Sequence, residues 1–328
     1  MTGPRCASTI VAGHARPVID EAAGPTIASG RSTFVHRSPL MSRQTQSDDA
    51  LDEGACVGPI AGVVVCYEPD AEALAWRLES LAATGLALML VDNSEQPAGQ
   101  RAAAEAARRL DAELICNGEN LGVAEAQNQG LRRAVARGCR SVLLLDQDST
   151  LTAADLQRLT DELGRRVTAG ERVAAVGPAF VDPRTHTDFP FLRVVDGRVE
   201  RHVPLSAEPL SCDVLISSGS VVNLAAVAEI GGLDGDLFID YVDYEWCLRA
   251  RSRGWQVIGV PAVRMTHELG DEVRRLFGRT VVLHSPRRQY YLVRNALLLA
   301  RRRSLPAGWR RHLLGRVLRQ LAGYTLLC

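Results

Sequence analysis

The chain has 328 residues, of which 46% are apolar and 23% are charged, as in an ordinary globular protein of one large or two smaller domains. Its 38 basic residues, all of them Arg, balance 38 acidic residues. A net charge of zero gives no general attraction to nucleic acid, and the lack of Lys excludes any mechanism that needs a side-chain ammonium group. Eight scattered Cys without CxxC or zinc spacing indicate free thiols in a reducing compartment.

The first 57 residues are rich in Ser, Thr, Gly, Pro and Ala and show no sustained periodicity. This composition predicts a disordered extension, and it contains no apolar stretch of the length found in signal peptides. No apolar run elsewhere approaches the roughly 20 residues that a membrane span needs. The sequence therefore predicts a cytoplasmic protein without a spanning helix.

From Gly58 onward, apolar runs alternate with helical patterns. Strands are predicted at residues 60–67, 86–92, 112–117 and 141–146, with helices at 70–84, 100–110 and 122–138. Continuous apolar strands are typical of a parallel sheet that is covered by helices on both faces. Such sheets bind ligands beyond the carboxyl ends of their strands. Four polar residues fall at or just past these ends: Tyr67, Asp92, Asn117 and Asp146.

The second half of the chain has a less regular pattern. It predicts a strand at 172–182, a hairpin at 191–203 around Asp196-Gly197, a Ser/Gly-rich turn within 212–223, a helix late in 235–255 and a strand at 256–267. The Arg-rich residues 285–328 predict amphipathic helices, either on a membrane surface or packed on the preceding domain. The sequence therefore predicts three segments: an extension at 1–57, a catalytic domain at 58–284 and a C-terminal helical region at 285–328.

The run SVLLLDQDSTL, residues 141–151, is an apolar strand that ends in Asp146 and Asp148. Two carboxylates one residue apart can hold Mg²⁺ or Mn²⁺, which prefer oxygen ligands and keep positions open for substrate phosphates. A polar turn explains the same letters equally well. The run also resembles the D-x-D-x-T-L opening of haloacid-dehalogenase-type phosphatases, with Asp146 as nucleophile. The lack of Lys, and the strand–helix pattern that precedes the motif, count against a phosphatase.

Further candidate residues follow in the second half. Asp243 and Glu245 lie in the run FIDYVDYEW. Asp243 is either an acid in the first turn of a helix, where it favours the helix dipole, or a general base for an acceptor hydroxyl. His267 closes a strand, and it is either structural or a ligand that completes a Mn²⁺ site. Gly219, in SSGSVVN, belongs to a simple turn or lets the backbone approach a substrate closely.

Several runs, in this order, resemble family-2 glycosyltransferases of the GT-A fold, in particular their bacterial rhamnosyltransferase branch. They are VVVCYEPD, LALMLVDNSE, NGENLGVAEAQNQG, VLLLDQDS, SSGSVVN, GGLDGDLFIDYVDYEW and SPRRQYYLVRNALLL. The resemblance covers roughly residues 60–300, and the ordered series is more specific than any one run. A binding protein that keeps the fold without turnover is a further alternative, against which the metal pair, the base candidate and His267 count.

The resemblance implies a Rossmann-like, nucleotide-binding mixed sheet with helices on both faces, followed by basic amphipathic helices. It implies an inverting transferase that uses Mg²⁺ or Mn²⁺ and a dTDP- or UDP-sugar, with dTDP-L-rhamnose as the favoured donor. The acceptor is expected to be a saccharide or lipid-linked glycan in cell-surface polysaccharide synthesis, such as that of O-antigen or cell wall. Peripheral contact with the inner face of the cytoplasmic membrane is a related expectation.

The resemblance also implies roles for individual residues. With Gly219 included, the nucleotide-sugar pocket is expected to be lined by Tyr67, Asp92, Asn120, Gly122, Asn128, Asp146 and Gly219. The expected metal ligands are Asp146, Asp148 and His267. Asp243 matches the acid that deprotonates the acceptor, and Glu245 is expected to support it.

Position 68 departs from the family pattern, because relatives often carry Asn where Glu68 stands before Pro69. A carboxylate beside a nucleotide has to face away from it or be compensated by donors. Glu68 is therefore left outside the predicted site.

Overall fold

The computed structural model describes residues 59–182, 187–266, 272–276, 279–283 and 285–327. These residues belong to one compact unit, residues 52–328. The predicted disorder of residues 1–57 and the predicted metal ligand His267 lie outside the described residues. The boundaries at 57 and 284 stay predictions. None of the helices within the described ranges is long and apolar enough to cross a membrane.

The first half of the described chain alternates strand and helix, as the sequence predicts. Its elements are β1 (Ile60–Cys66), α1 (Ala71–Ala82), β2 (Ala87–Asp92), α2 (Pro97–Leu110), β3 (Glu113–Cys116), α3 (Val123–Ala136), β4 (Ser141–Asp146) and α4 (Ala153–Thr168). The four strands lie in the order β3-β2-β1-β4 and run parallel. Cys66 pairs with Asp92, and Asp92 with Cys116, so the strands end at one common edge.

Local sequence explains where these helices begin and which face they bury. Asp70 caps α1, because its carboxylate accepts the N–H of Ala73 at 2.8 Å. The buried residues of α1 are Leu74, Leu78 and Leu81, which recur at the spacing of one helical face. Pro97 begins α2, where its missing N–H costs nothing. The outer layer of the fold can thus be read largely from local patterns.

The second half contributes nine strands, four helices and a short 3-10 turn at Gly235–Leu237 to the described chain. The elements are β5 (Val173–Asp182), β6 (Thr187–Asp188), β7 (Phe191–Val195), β8 (Arg198–His202), β9 (Leu210–Cys212), β10 (Val221–Asn223), α5 (Leu224–Ile230), α6 (Val242–Ser252), β11 (Gln256–Thr266), β12 (Glu272–Leu276), β13 (Arg279–Leu283), α7 (Pro286–Arg301) and α8 (Ala307–Leu327). The predicted hairpin is β7–β8, whose turn residues Asp196 and Gly197 both have positive φ.

The main sheet is mixed. Its path is β3-β2-β1-β4-β10-β5-β11-β9, with β6 paired to β5. The short strand β10 runs antiparallel to both β4 and β5, and β9 runs antiparallel to β11. Two buried clusters lie on the two faces: one contains residues of α1 and α4, and the other contains residues of α3, α5, α6, α7 and α8. Since β10 enters between two parallel strands, the loop before it reaches the carboxyl end of β4.

Asp213 joins the C-terminal helices to the rest of the fold. This carboxylate is 4% exposed and accepts hydrogen bonds from the indole N–H of Trp309 and the backbone N–H of Val194, both at 2.8 Å. Its other oxygen pairs with Arg251 at 2.9 Å. Trp309 itself is fully buried. One acid therefore connects α8, β7 and α6.

We expect Asp213→Ala to lower the free energy of unfolding by about 3 kcal/mol, because three donors lose their shared acceptor in a buried place. Glu229→Ala is the control, since it breaks an ion pair with Arg172 that is about half exposed on both sides. Such surface pairs contribute about 0–1 kcal/mol. Urea denaturation measures both changes. Equal losses in the two variants would contradict a special role for Asp213.

Candidate active site

The turn that carries Asp146 and Asp148 is anchored by the Ser/Gly-rich loop before β10. Ser218 Oγ accepts the backbone N–H of Asp146 at 3.0 Å and lies 2.7 Å from Ser149 Oγ. The Ser149 N–H donates to the Asp146 carbonyl at 3.1 Å and closes the turn. Ser218 and Ser149 are buried, whereas the Asp148 side chain is exposed. The backbone of the turn is thus fixed while one carboxylate faces outward. Sequence reasoning did not single out Ser218.

Asp146 occupies a crowded, negatively charged position. Burial, and after it the charges of Asp148 and Asp243, raise the pKa of its carboxyl to about 7, although Arg288 acts in the opposite direction. The electrostatic influence of Asp148 and Asp243 on Asp146 indicates that the three carboxylates lie in one cluster. The cluster unites the two acidic motifs that the sequence analysis singled out.

Asp243 lies in the first turn of α6, as predicted, because the helix begins at Val242. Its carboxylate accepts backbone N–H groups of Tyr244 at 2.8 Å and of Ser217 at 3.3 Å. Burial raises the pKa of Asp243 to about 6, although these two N–H groups oppose the rise and Asp240 adds to it. Asp243 is therefore oriented by backbone donors and is a stronger base than an exposed Asp.

The donor atoms of this cluster fit a hard divalent cation. Within the described residues, no group of three His, Cys, Asp or Glu side chains is arranged to hold a metal ion by itself. Mg²⁺ needs only one or two carboxylates when phosphate oxygens and water complete its coordination. The mutual repulsion of Asp146 and Asp148 is the feature that a bound cation would relieve. The residues present thus suit an ion shared with a phosphate-bearing substrate.

The rim beyond β2 contains a buried acceptor with spare capacity. Asp92 is fully buried, and its Oδ1 accepts the N–H of Ser94 at 3.0 Å and the Ser94 hydroxyl at 2.6 Å. Its Oδ2 is buried and has no hydrogen-bond partner among the described residues. Next to it, the Asn117 side-chain amide donates to Asn93, which donates to the carbonyl of Gly122. Asp92 therefore keeps one oxygen for a further donor.

Tyr67 is held at the end of β1 by a residue that sequence reasoning missed. The Gln147 side chain accepts the backbone N–H of Tyr67 at 2.8 Å and donates to the Tyr67 carbonyl at 3.1 Å. The Tyr67 ring is 40% exposed, and its hydroxyl donates to Glu95 at 3.0 Å. Gln147, which lies between Asp146 and Asp148, thus connects their turn to the end of β1.

Glu68 shows how the departure at position 68 is accommodated. Its Oε1 accepts the backbone N–H groups of Glu95 at 3.0 Å and Gln96 at 2.8 Å, immediately before α2. The first N–H groups of a helix have no partner within the helix, and the helix dipole favours a negative charge there. The carboxylate is therefore compensated by backbone donors, as the sequence analysis required.

Gly122 and Asn120 shape the start of α3. Gly122 has a φ of +84°, and a Cβ there would lie 2.6 Å from both the ring and the carbonyl oxygen of Phe238. Asn120 Oδ1 accepts the Gly122 N–H at 3.0 Å, and the Phe238 carbonyl accepts the N–H of Val123 at 2.8 Å. Only glycine permits this crossing of two segments. The described partners of both predicted residues are protein groups, and their place in a nucleotide-sugar pocket stays a prediction.

Three other predicted site residues are committed to protein contacts. The Asn128 amide makes both of its hydrogen bonds to the backbone of Leu233. A Cβ at Gly219, where φ is +79°, would collide with Met265 Sδ, so the close approach is to protein. The carboxylate of Glu245, which is 2% exposed, binds Arg249 and Arg302. Two guanidinium groups thus occupy the Glu245 carboxylate, and its support of Asp243 stays a prediction.

Two comparisons of the sequence identify its relatives. The model of the family "Glycosyl transferase family 2" matches residues 63–209. The chain is 32% identical over 249 residues to the dTDP-rhamnosyl transferase RfbF of Shigella flexneri, an alignment that covers 75% of this chain and 81% of that protein. The chain belongs to glycosyl transferase family 2. It is therefore a glycosyltransferase of the rhamnosyltransferase-like type, and the phosphatase alternative is wrong.

Solved structures confirm the fold of this family-2 glycosyltransferase. GalNAc-T7 with UDP, GalNAc and Mn²⁺ matches with a TM-score of 0.53 and 16% identity over 80% of this chain. The match covers 55% of the GalNAc-T7 chain, so this chain spans about half of its length. The mannosyltransferase PcManGT from Pyrobaculum calidifontis, in complex with GDP-Man and Mn²⁺, matches with a TM-score of 0.50 and 17% identity, over 83% of this chain and 72% of that one. The mixed α/β sheet with helices on both faces is the predicted GT-A fold.

We expect Asp146→Asn to make the metal-free glycosyltransferase more stable at pH 8 than the wild type, with the difference vanishing near pH 4. Between about pH 4 and pH 7 the folded wild type binds more protons than the unfolded chain, so its stability falls as pH rises through this window. The variant lacks this titration and, with it, the burial of a charge beside Asp148 and Asp243. Thermal unfolding with EDTA at several pH values measures the difference. Parallel pH profiles would contradict the raised pKa.

Proposed function

We propose that this family-2 protein is an inverting, metal-dependent transferase that moves a sugar from a nucleotide-diphosphate donor to a hydroxyl of a saccharide or lipid-linked glycan. The observation that carries the proposal is the mutual electrostatic influence of Asp146, Asp148 and Asp243 at the carboxyl end of β4, on the same edge of the sheet where the buried acceptor Asp92 ends β2. The preference for dTDP-L-rhamnose as donor is supported by the 32% identity to RfbF. A role in cell-surface polysaccharide synthesis is part of the same proposal.

The diphosphate is proposed to bind at the Asp146 turn. The exposed Asp148 is the better placed ligand, and Asp146 is its partner behind it. GalNAc-T7 and PcManGT were both solved with Mn²⁺, which supports Mn²⁺ or Mg²⁺ here. A divalent cation would supply positive charge that stabilises the leaving diphosphate. His267 stays a predicted further ligand.

The nucleotide base is proposed to lie at the ends of β1 and β2. A buried acceptor without a partner costs about 1–3 kcal/mol, and an N–H of the base could satisfy Asp92 Oδ2. The half-exposed Tyr67 ring offers an apolar face beside it, where stacking adds affinity. Asn120 and Gly122 are proposed to border the sugar moiety from the start of α3.

The chemical step is proposed to use Asp243 as the base. Its raised pKa, about 6, strengthens the base and still leaves the carboxylate ionised at neutral pH. The acceptor hydroxyl attacks the anomeric carbon from the face opposite the diphosphate, and Asp243 takes its proton. The new carbon–oxygen bond forms as the bond to the diphosphate breaks, so one displacement inverts the anomeric centre. The leaving diphosphate carries away the electron pair, and no covalent enzyme intermediate is required.

We expect dTDP with Mn²⁺ to raise the melting temperature by about 5 °C at 100 times its Kd, because it binds only the folded state. UDP and GDP should give smaller rises, and EDTA should abolish the response. Asp148→Ala should lose the metal-dependent part, whereas Asp161→Ala, an exposed acid on α4, should keep it. Differential scanning fluorimetry measures these shifts. A response to none of the three nucleotides would contradict the proposed donor site.

We also propose that α8 contacts an anionic membrane surface. One face of α8 packs into the fold through Trp309, Leu313 and Val317, which are buried. The other face exposes Leu314, Leu318 and Leu321, at the spacing of a helical stripe. The chain from Ser285 to its end carries several Arg and no Asp or Glu. An apolar stripe within a region that carries only basic charges suits peripheral binding to a membrane. In this proposal α8 both packs on the preceding domain and contacts the membrane surface.

We expect Leu318→Asp to weaken binding to vesicles of mixed neutral and anionic phospholipid by about tenfold, because the side chain is 68% exposed and its burial is lost. Val135→Asp, at an exposed apolar residue of α3, is the control and should bind as the wild type does. Co-sedimentation measures the binding, which should fall as salt rises. Equal binding of all three proteins would contradict contact through α8.

A further inference from the structure

The segment Phe238–Tyr241, which leads into α6, has an unusual backbone. Phe238, Asp240 and Tyr241 have φ values of 63°, 64° and 62°, in the left-handed region that favours glycine. Side chains with a Cβ do not choose this region by themselves, so contacts from elsewhere must impose it. Asp240 belongs to the segment, and Asp243 follows it within the first turn of α6. Whatever holds the segment therefore sets the position of both acids.

A single residue of α7 binds three carbonyl groups of this region. Asn295 is fully buried, and its Nδ2 donates to the carbonyl oxygens of Leu237 at 2.8 Å, Ile239 at 2.8 Å and Asp240 at 3.0 Å. Its Oδ1 accepts from Arg294 at 2.8 Å, which fixes which end of the amide faces the carbonyl groups. Asn295 lies 55 residues after Asp240 in the chain and outside the part that the family model matches.

Other contacts support the same segment from two sides. The Phe238 ring stacks on Tyr291 of α7 with 4.8 Å between ring centroids. The Phe238 carbonyl accepts the N–H of Val123 at the start of α3. Arg288, in the first turn of α7, pairs with Asp240 at 3.2 Å. The left-handed segment is therefore held between α3 and α7, and the fully buried Asn295 side chain supplies hydrogen bonds to two of its carbonyl groups.

The geometry points to Asn295 as a positioning residue for glycosyl transfer, which holds the Phe238–Tyr241 segment so that Asp240 and Asp243 keep their places in the carboxylate cluster. This inference rests on the proposed function, in which Asp243 is the base. Asn295 touches no reacting atom and acts through the backbone carbonyl groups. Its chemistry suits the role, since the amide offers two N–H donors to three acceptors and adds no charge beside the acids.

The test compares Asn295→Ala with Leu299→Ala, which removes a fully buried side chain one turn further along α7. The readouts are melting temperature, the Kd for dTDP with Mn²⁺, and the slow release of dTDP from dTDP-L-rhamnose with water as acceptor. We expect Asn295→Ala to lower kcat by about 100-fold, because small misplacements of a base cost about that much. Its Kd for dTDP and its KM should change by less than about twofold.

The control separates positioning from general stability. Leu299→Ala should lower the melting temperature at least as much as Asn295→Ala does, and should keep kcat within about twofold of the wild type. Asn295→Ser retains one donor and should lose about tenfold in kcat, and it decides the matter if Asn295→Ala does not fold. A kcat for Asn295→Ala that is no lower than that of Leu299→Ala overturns the inference. A loss of dTDP affinity in Asn295→Ala as large as its loss in kcat also overturns it.

Asp243→Asn, measured in parallel, distinguishes the inference from the function on which it rests. If Asp243→Asn loses turnover and Asn295→Ala keeps it, the positioning role of Asn295 is overturned and the assignment of Asp243 as the base stands. Normal turnover in Asp243→Asn overturns the base assignment. Loss in Asn295→Ala would then support positioning that acts through Asp240.

Discussion

The mutual repulsion of carboxylates at one edge of the sheet is the constraint around which the structure is organised. Asp146, Asp148 and Asp243 interact closely enough to raise the pKa of Asp146, and Asp240 adds to that of Asp243. Such a cluster destabilises the folded protein at neutral pH, and a cation or a proton bound there would relieve the repulsion. Arg288 offsets part of the repulsion through its pair with Asp240.

Neutral amides hold several of the segments that surround this cluster. Gln147 binds both backbone groups of Tyr67, Asn128 binds both of Leu233, and Asn295 binds three carbonyl groups around Asp240. A charged residue in these places would shift the titration of the acids, whereas an amide adds hydrogen bonds and no net charge. The left-handed conformation of Phe238, Asp240 and Tyr241 costs about 1–2 kcal/mol per residue, and hydrogen bonds such as those of Asn295 offset this cost.

The C-terminal helices contact the segment that precedes α6 in the candidate site. The family model ends at residue 209, yet Arg288 and Asn295 of α7 contact the segment before α6, and Trp309 of α8 is tied to Asp213. The helices thus support the acid-bearing side of the site from behind. Their outward face, with its exposed Leu residues, is the one proposed to contact a membrane.

The amino-acid sequence by itself determined the strand–helix alternation and the common edge with Tyr67, Asp92, Asn117 and Asp146, because both rest on local periodicity. It also predicted Asp243 in the first turn of α6, although that helix has no side-chain cap and contacts from α7 hold the backbone before it. The ordered series of short runs in the sequence also indicated the glycosyltransferase family, which the comparisons confirm. Only the tertiary structure decided that Asn128, Gly219 and Glu245 make protein contacts, and that Gln147, Ser218 and Asn295 bind backbone groups of Tyr67, Asp146 and Asp240. The physical reason is distance along the chain: apart from the local pair of Glu245 with Arg249, the partners of these residues lie far away in sequence, and no local pattern records which buried polar groups will meet.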